Sequence, residues 1–263
     1  MERKYEFTDE TRQILGRTVH RIVAVRDFGG IKKGTQGGWI EKESNLSHEG
    51  NCWVYDDAFV FDDAKVSDNA KVWDNAAVWN TAKVSGYAKM LDGAKVYGNA
   101  KLFGRAVLSN YAQVYENAQV YDMANLEDTA MVYGNARVFT SAKLFENARV
   151  YGDALVLDKA ILHGAARVHG KAKVYGSVKL YGRVELCGTA DVSSARDFIV
   201  FQNWWDTGRY FTWTRSNNLW CVDGILYNST DLVREAKLYS EVAGQEYARL
   251  VRYVEEILKA NGK

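Results

Sequence analysis

From Val54 to Val192 an aliphatic residue stands at every sixth position, twenty-four times in succession, with no insertion or deletion. Two residues before each stands a small side chain, alanine almost throughout, with Cys52, Val178 and Val184 as the departures. A 3.6-residue helix cannot keep a period of six on one face, and a free strand repeats every two residues. A short strand followed by a tight corner satisfies the pattern. Asp, Asn or Gly occupies 20 of the 24 positions two residues after the aliphatic. These residues take positive φ at least cost, so the chain can turn there.

A second period fixes the number of walls. Positions 90, 108, 126, 144, 162 and 180 are Met followed by five Leu, whereas the other two columns are almost all valine. An eighteen-residue lap with one wall carrying longer side chains is a three-sided solenoid. Twenty-four hexads give about eight coils, and at about 4.8 Å per coil the rod is about 38 Å long.

Pairs such as Val66–Ala70, Val72–Ala76 and Val96–Ala100 resemble the hexapeptide-repeat proteins, and the resemblance implies a left-handed parallel β-helix. The runs Arg26-Asp27-Phe28-Gly29-Gly30, Gly37-Gly38-Trp39-Ile40-Glu41 and Asn45-Leu46-Ser47-His48-Glu49-Gly50-Asn51-Cys52-Trp53-Val54-Tyr55 are similar to a narrower group. That group comprises uncharacterised hexapeptide-repeat proteins of bacteria and their phages or prophages. The resemblance covers roughly residues 20–195 and implies fold and lineage, with no activity attached.

Open strand edges at the ends of a solenoid must be covered. The expected organisation is an N-terminal β cap over residues 1–50, the repeat over 51–195, and a C-terminal α+β module over 196–263. In the module Phe198–Phe201, Arg209–Trp213 and Leu219–Val222 read as strands. A helix is expected from Thr230 or Asp231 and a second beyond Gly244. The second carries Tyr247, Leu250, Val251, Val254, Ile257 and Leu258 on one stripe, destined for the last coil or for another subunit.

Composition narrows the function by exclusion. Lys+Arg 34 against Asp+Glu 33 argues against nucleic-acid coating by bulk charge. The first residues hold no signal-peptide core and no stretch is long enough to span a bilayer, so a cytoplasmic location is expected, the host cytoplasm for a phage-encoded protein. Cys52, Cys187 and Cys221 are odd in number and far apart, which gives neither a disulfide framework nor a zinc knuckle. The acidic corners Asp56, Asp57, Asp62, Asp63, Asp68 and Asp74 read as solvated turn residues, so no metal is expected. No nucleotide-binding glycine motif is present, and no cofactor is expected.

Two surfaces stand out. One wall carries Phe61, Trp79, Tyr97, Tyr115, Tyr133, Tyr151 and His169 at eighteen-residue spacing. Such a ladder stiffens a β surface, and the first six residues are the candidate interface of a homodimer or homotrimer. Residues 159–183 carry six cations and no acid and adjoin a cluster rich in tryptophan and arginine. Trp204, Trp205, Arg209, Tyr210, Trp213, Arg215 and Trp220, with Arg167, His169 and Lys173, form a candidate site for a small anionic or nucleotide ligand.

The function expected from these features is a non-enzymatic scaffold that captures a host molecule, either a nucleotide-type immune signal or a host protein, with no catalytic residue. The first alternative is an acyltransferase drawing on acyl-CoA with His163 or His169 as base. The register extrudes no loop to serve as a lid, which weighs against it. The second is a structural spacer of a virion or cell envelope.

Overall fold

The computed structural model describes residues 2–203 and 208–260. Two-residue strands such as Phe59–Val60, Lys65–Val66 and Lys71–Val72 pair in parallel with the strand eighteen residues on, as Val60 with Val78 and Met90 with Leu108. Three walls hold eight such strands each, and Gln36–Ile40 adds a rung to one of them, for about nine turns in all. The chain is thus a three-sided parallel β-solenoid with covered ends.

The interior is aliphatic without interruption. Val60, Val78, Leu108, Leu126 and Leu144 are wholly inaccessible to solvent, as is the alanine column from Ala58 to Ala172. Each such Val or Leu contributes about 1.5–3 kcal/mol by leaving water.

Every corner from Asp56 to Gly188 has positive φ, including Glu116 at 58°, Thr140 at 60° and Glu146 at 55°. Three residues that rarely turn this way do so because the coils on either side fix the path. Aspartate does more at the corner than tolerate the angle. The amide of Gly86 donates to Asp68 Oδ2 at 2.9 Å, and Asp92 and Glu146 donate likewise to Asp74 and Asp128, each at 3.0 Å. The corner acids therefore bind the amide of the next lap, which is the role for which they are placed.

Between laps the backbone-to-backbone hydrogen bonds run one way. Every N–H that pairs with the backbone of another lap donates to the carbonyl of the following coil, as Lys65 to Ala82 at 2.9 Å and Ser67 to Val84 at 3.0 Å. The first coil is left with carbonyls and the last with amides. At the N-terminal end the hairpin Tyr5–Ile14 with Arg17–Ala24 and its neighbouring loop supply donors. Asn45 Nδ2 donates to the carbonyls of Asp62 and Ala64, at 3.0 and 2.9 Å, and buried Lys4 Nζ donates to that of Cys52 at 3.0 Å. The C-terminal module supplies acceptors. Glu185 N donates to Thr212 Oγ1 at 3.3 Å, Asp191 N to Ser216 Oγ at 2.7 Å, and Ser193 N and Ser194 N to Asp197 Oδ2, each at 2.8 Å.

That module is an antiparallel sheet of Phe198–Gln202, Tyr210–Thr214, Leu219–Val222 and Ile225–Tyr227, followed by helices Ser229–Tyr239 and Glu241–Ala260. Alternation along the strands sorts the two faces. Phe211, Trp213, Trp220 and Val222 pack with the helices, while Phe198 and Val200 lie on the solenoid core. The fourth strand, absent from the sequence reading, follows a turn at Asp223 (φ 48°) and Gly224 (φ 81°), the dipeptide that favours a tight hairpin. Asn228 caps the first helix by accepting from Asp231 N at 2.8 Å. The second helix starts at Glu241 and runs through Gly244, where a Cβ would meet Lys237 Cγ at 2.2 Å, so glycine there lets the helices close. Tyr247, Leu250, Val251, Val254 and Leu258 cover the module's own sheet. Against expectation, Cys187 and Cys221 form a disulfide with Cα atoms 6.2 Å apart, joining the last coil to the module. Sequence spacing hid it because the two strands come from different substructures.

Candidate functional site

Where the last coils meet the module lies a cleft of about 370 Å³, walled by Arg167, Arg183, Glu185, Arg209, Tyr210 and Asp223. The solenoid register builds half of it. Positions 167 and 185 face each other across adjacent laps, and Arg167 NH1 stands 3.9 Å from Glu185 Oε1. Two residues on, His169 stacks on the Tyr151 ring at 4.6 Å and 2° between planes. Its Nε2 lies 3.3 Å from Glu185 Oε1 without hydrogen-bond alignment, in a place closed to solvent.

The module builds the other half. Gly224 N donates to Glu185 Oε2 at 2.9 Å, which fixes the carboxylate and leaves Oε1 toward the imidazole. Arg209 Nε pairs with Asp223 Oδ2 at 3.2 Å, and Arg183 lies 6.0 Å from the centre of the Tyr210 ring. Burial alone would raise the Glu185 carboxyl, but the His169 imidazole, the Gly224 amide and Arg167 outweigh it, and its pKa lies below the ordinary value. Glu185 therefore remains a carboxylate at neutral pH. A Cβ at position 224 would sit in ordinary contact, 3.9 Å from both Glu185 Oε1 and His169 Cε1, so it is the φ of 81° that calls for glycine there.

Of the residues singled out from sequence, the structure brings Arg167, Arg209 and Tyr210 together on the cleft, with His169 behind Glu185. Arg183, Glu185 and Asp223 join them unforeseen. Trp213 and Trp220 are buried in the module core, their indole N–H groups donating to Asn218 and Ser229. Arg215 lines a separate hollow with Arg196 and Phe198, and Lys173 is exposed on another wall. Trp204 and Trp205 lie outside the described residues. His163, the other candidate base, meets the Tyr181 ring edge-on at 4.0 Å and has no carboxylate partner among the described residues.

The aromatic ladder forms as a continuous stack. Trp79–Tyr97 rings are 4.3 Å apart, and Tyr97–Tyr115, Tyr115–Tyr133 and Tyr133–Tyr151 are each 4.9 Å apart. Phe61 is 3 % exposed, packed under the N-terminal cap with Val19 and Trp39, whereas Trp79 to Tyr151 are half-buried. Burial pushes the Tyr115 phenol up to about 12, with Tyr133 and Tyr97 adding to it. No described helix is long and apolar enough to cross a membrane.

Comparison with known proteins bears on both fold and function. A family model described as the YdcK beta solenoid repeat matches residues 148–164. A curated protein of Escherichia coli (strain K12), named "Uncharacterized acetyltransferase YdcK", is 39% identical over 62 residues, which is 20% of this chain. The match spans 19% of that relative's length. The repeat β-solenoid is thereby supported from a second direction. The expectation of a non-enzymatic scaffold that captures a host immune signal or protein is overturned, since the relative's name points to acyl transfer, the first alternative.

Proposed function

We propose that this chain is an acyltransferase of the acetyl-transferring kind and that the cleft between the last coils and the C-terminal module is its site. The observation that carries the reading is that Glu185, paired with His169 behind it, lines one cleft with Arg167, Arg183 and Arg209. The name of the E. coli relative supports the same chemistry.

The roles follow from the groups present. The guanidinium groups suit the phosphates of a CoA thioester, since their planar forks match phosphate oxygens. His169, its Nε2 turned to Glu185 and closed to solvent, takes the proton at Nδ1 from an acceptor hydroxyl or amine as the oxygen or nitrogen attacks the thioester carbonyl, and the C–S bond then breaks to release the CoA thiolate. Glu185, held ionised, stabilises the imidazolium that forms, and the proton passes from His169 to the thiolate. The unbroken solenoid extrudes no lid, and the module's strands and turns wall the cleft in its place.

Release of free thiol from acetyl-CoA with panels of amino sugars, small amines and alcohols tests the proposal. The native chain should turn over with at least one class. Loss of the base should lower the rate by about 10²–10⁴-fold in His169→Ala. No CoA-induced thermal shift and no thiol release with any acceptor would remove the reading, and an unchanged rate in His169→Ala would remove His169 as the base.

A further inference from the structure

His169, Cys187 and Cys221 present one nitrogen and two sulfurs within 4.8 Å of one another. Three separate pieces of chain supply them. His169 belongs to one coil, Cys187 lies at the equivalent position eighteen residues on, and Cys221 comes from the module strand Leu219–Val222. Cys187 is 2 % exposed and Cys221 3 %, and His169 Nε2 is closed to solvent with no hydrogen bond. Glu185 Oε1 stands beside this group, 3.3 Å from His169 Nε2 but outside the cluster of three ligand atoms, while Gly224 N holds the other carboxylate oxygen.

We propose that in the thiol form His169, Cys187 and Cys221 are the protein ligands of a zinc site that clasps the C-terminal module to the end of the solenoid. Two soft sulfurs and an imidazole are a donor set that selects zinc over magnesium or calcium. Zn–S bonds of about 2.3 Å place two tetrahedral sulfurs about 3.8 Å apart, a spacing that side-chain rotation across a Cα separation of 6.2 Å can supply. The outer groups are also in place. Tyr151 fixes the imidazole plane, Gly224 N orients the carboxylate, and Arg167 offsets the negative charge of two thiolates and Glu185.

From the disulfide described above, a two-electron reductant such as a dithiol first splits the S–S bond and leaves each sulfur as a thiol; the loading that follows needs no redox partner. Each thiol releases one proton to solvent and the two thiolates bind the divalent ion. The disulfide is the competing state, reached only when a two-electron oxidant such as another disulfide accepts electrons from the same sulfurs. The zinc site does not rest on acyl transfer. It gives His169 a second use, so zinc binding in the thiol form also silences the proposed base.

The test uses the full chain, purified under a phosphine reductant and freed of metal by chelation. Titration with Zn²⁺ should give one ion per chain. Co²⁺ should give a thiolate-to-cobalt absorption band with tetrahedral d–d transitions, and Zn²⁺ should bleach both. The Cys187→Ser, Cys221→Ser double variant should lose the band. His169→Ala should weaken binding by at least the roughly tenfold that loss of an outer-shell partner costs. Circular dichroism of the solenoid shows that each variant is folded. Reduced chain with its thiols free but no bound metal would overturn the proposal. So would equal binding in the double variant, or a cysteine pair that stays oxidised under the reductant. Failure of acyl transfer leaves the cobalt spectrum unchanged, so the two proposals fail separately.

Discussion

Replacing Leu126 by alanine tests the filled interior more directly than any change at the surface. Leu126 is completely buried, with Leu108 and Leu144 as its ladder partners on either side. Removing three carbons forfeits about 2.4 kcal/mol of transfer free energy at about 0.8 kcal/mol per methylene. The walls cannot relax into the gap, because the Leu126 carbonyl accepts from Ser109 N at 3.0 Å and Glu127 N donates to Leu144 at 3.0 Å. The cavity term therefore carries the total toward the upper part of the range for such sites, about 4 kcal/mol. For a chain this long, with a urea dependence of about 3 kcal/mol/M, the unfolding midpoint should fall by about 1.3 M. Equilibrium urea unfolding followed by circular dichroism and tryptophan fluorescence reads it. Tyr111→Ala, at a residue 66 % exposed, is the control and should stay within about 0.5 kcal/mol. A loss in Leu126→Ala no larger than the control's would mean that the leucine column does not fill the tube.

Two further tests address the corners and the ladder. Gly104 has φ 69°, and a Cβ there would stand 2.6 Å from Asp122 N, so Gly104→Val should cost about 3 kcal/mol in thermal melts. Gly104→Asn meets the same Cβ contact but should cost less, because unbranched Asp and Asn take this φ, as Asp122 does at 56° in the next coil and Asp68 at 59° two coils back; equal losses would refute the account of the turn. In a spectrophotometric titration the ladder phenols should ionise late, Tyr115 near pH 12, with burial the main cause. Because the folded phenol is raised, the stability it contributes is complete below the unfolded value of about pH 10 and is lost as pH climbs to about 12. A single titration step near pH 10 for every tyrosine of the folded chain would contradict the stack.

The solenoid was legible because its signal repeats twenty-four times and each repeat must agree with its neighbours above and below. The same eighteen-residue lap already sets 167 beside 185 and 169 beside 187, so the solenoid half of the cleft could be read by counting. The module half could not. Cys221, Arg209 and Asp223 belong to an irregular sheet whose docking depends on single contacts and no period. The tryptophans misled for a simpler reason. Aromatics crowded near arginines suggest a stacking surface, yet strand alternation puts Phe211 and Trp213 under the helices and leaves Thr212 and Thr214 to meet the coil. The Asp223-Gly224 pair announced the fourth strand in the sequence itself, and only its short flanks concealed it.

Because the backbone hydrogen bonds between laps all point one way, the molecule has a head and a tail that are chemically unlike. The two covers are not interchangeable, since one brings protons to share and the other brings lone pairs. Whole laps of eighteen residues can thus be inserted or excised without redesigning either terminus, so length can vary among such chains independently of what their ends do. A copy stripped of both covers would present matching poles and would join its fellows nose to tail, the outcome that the two ends are built to prevent.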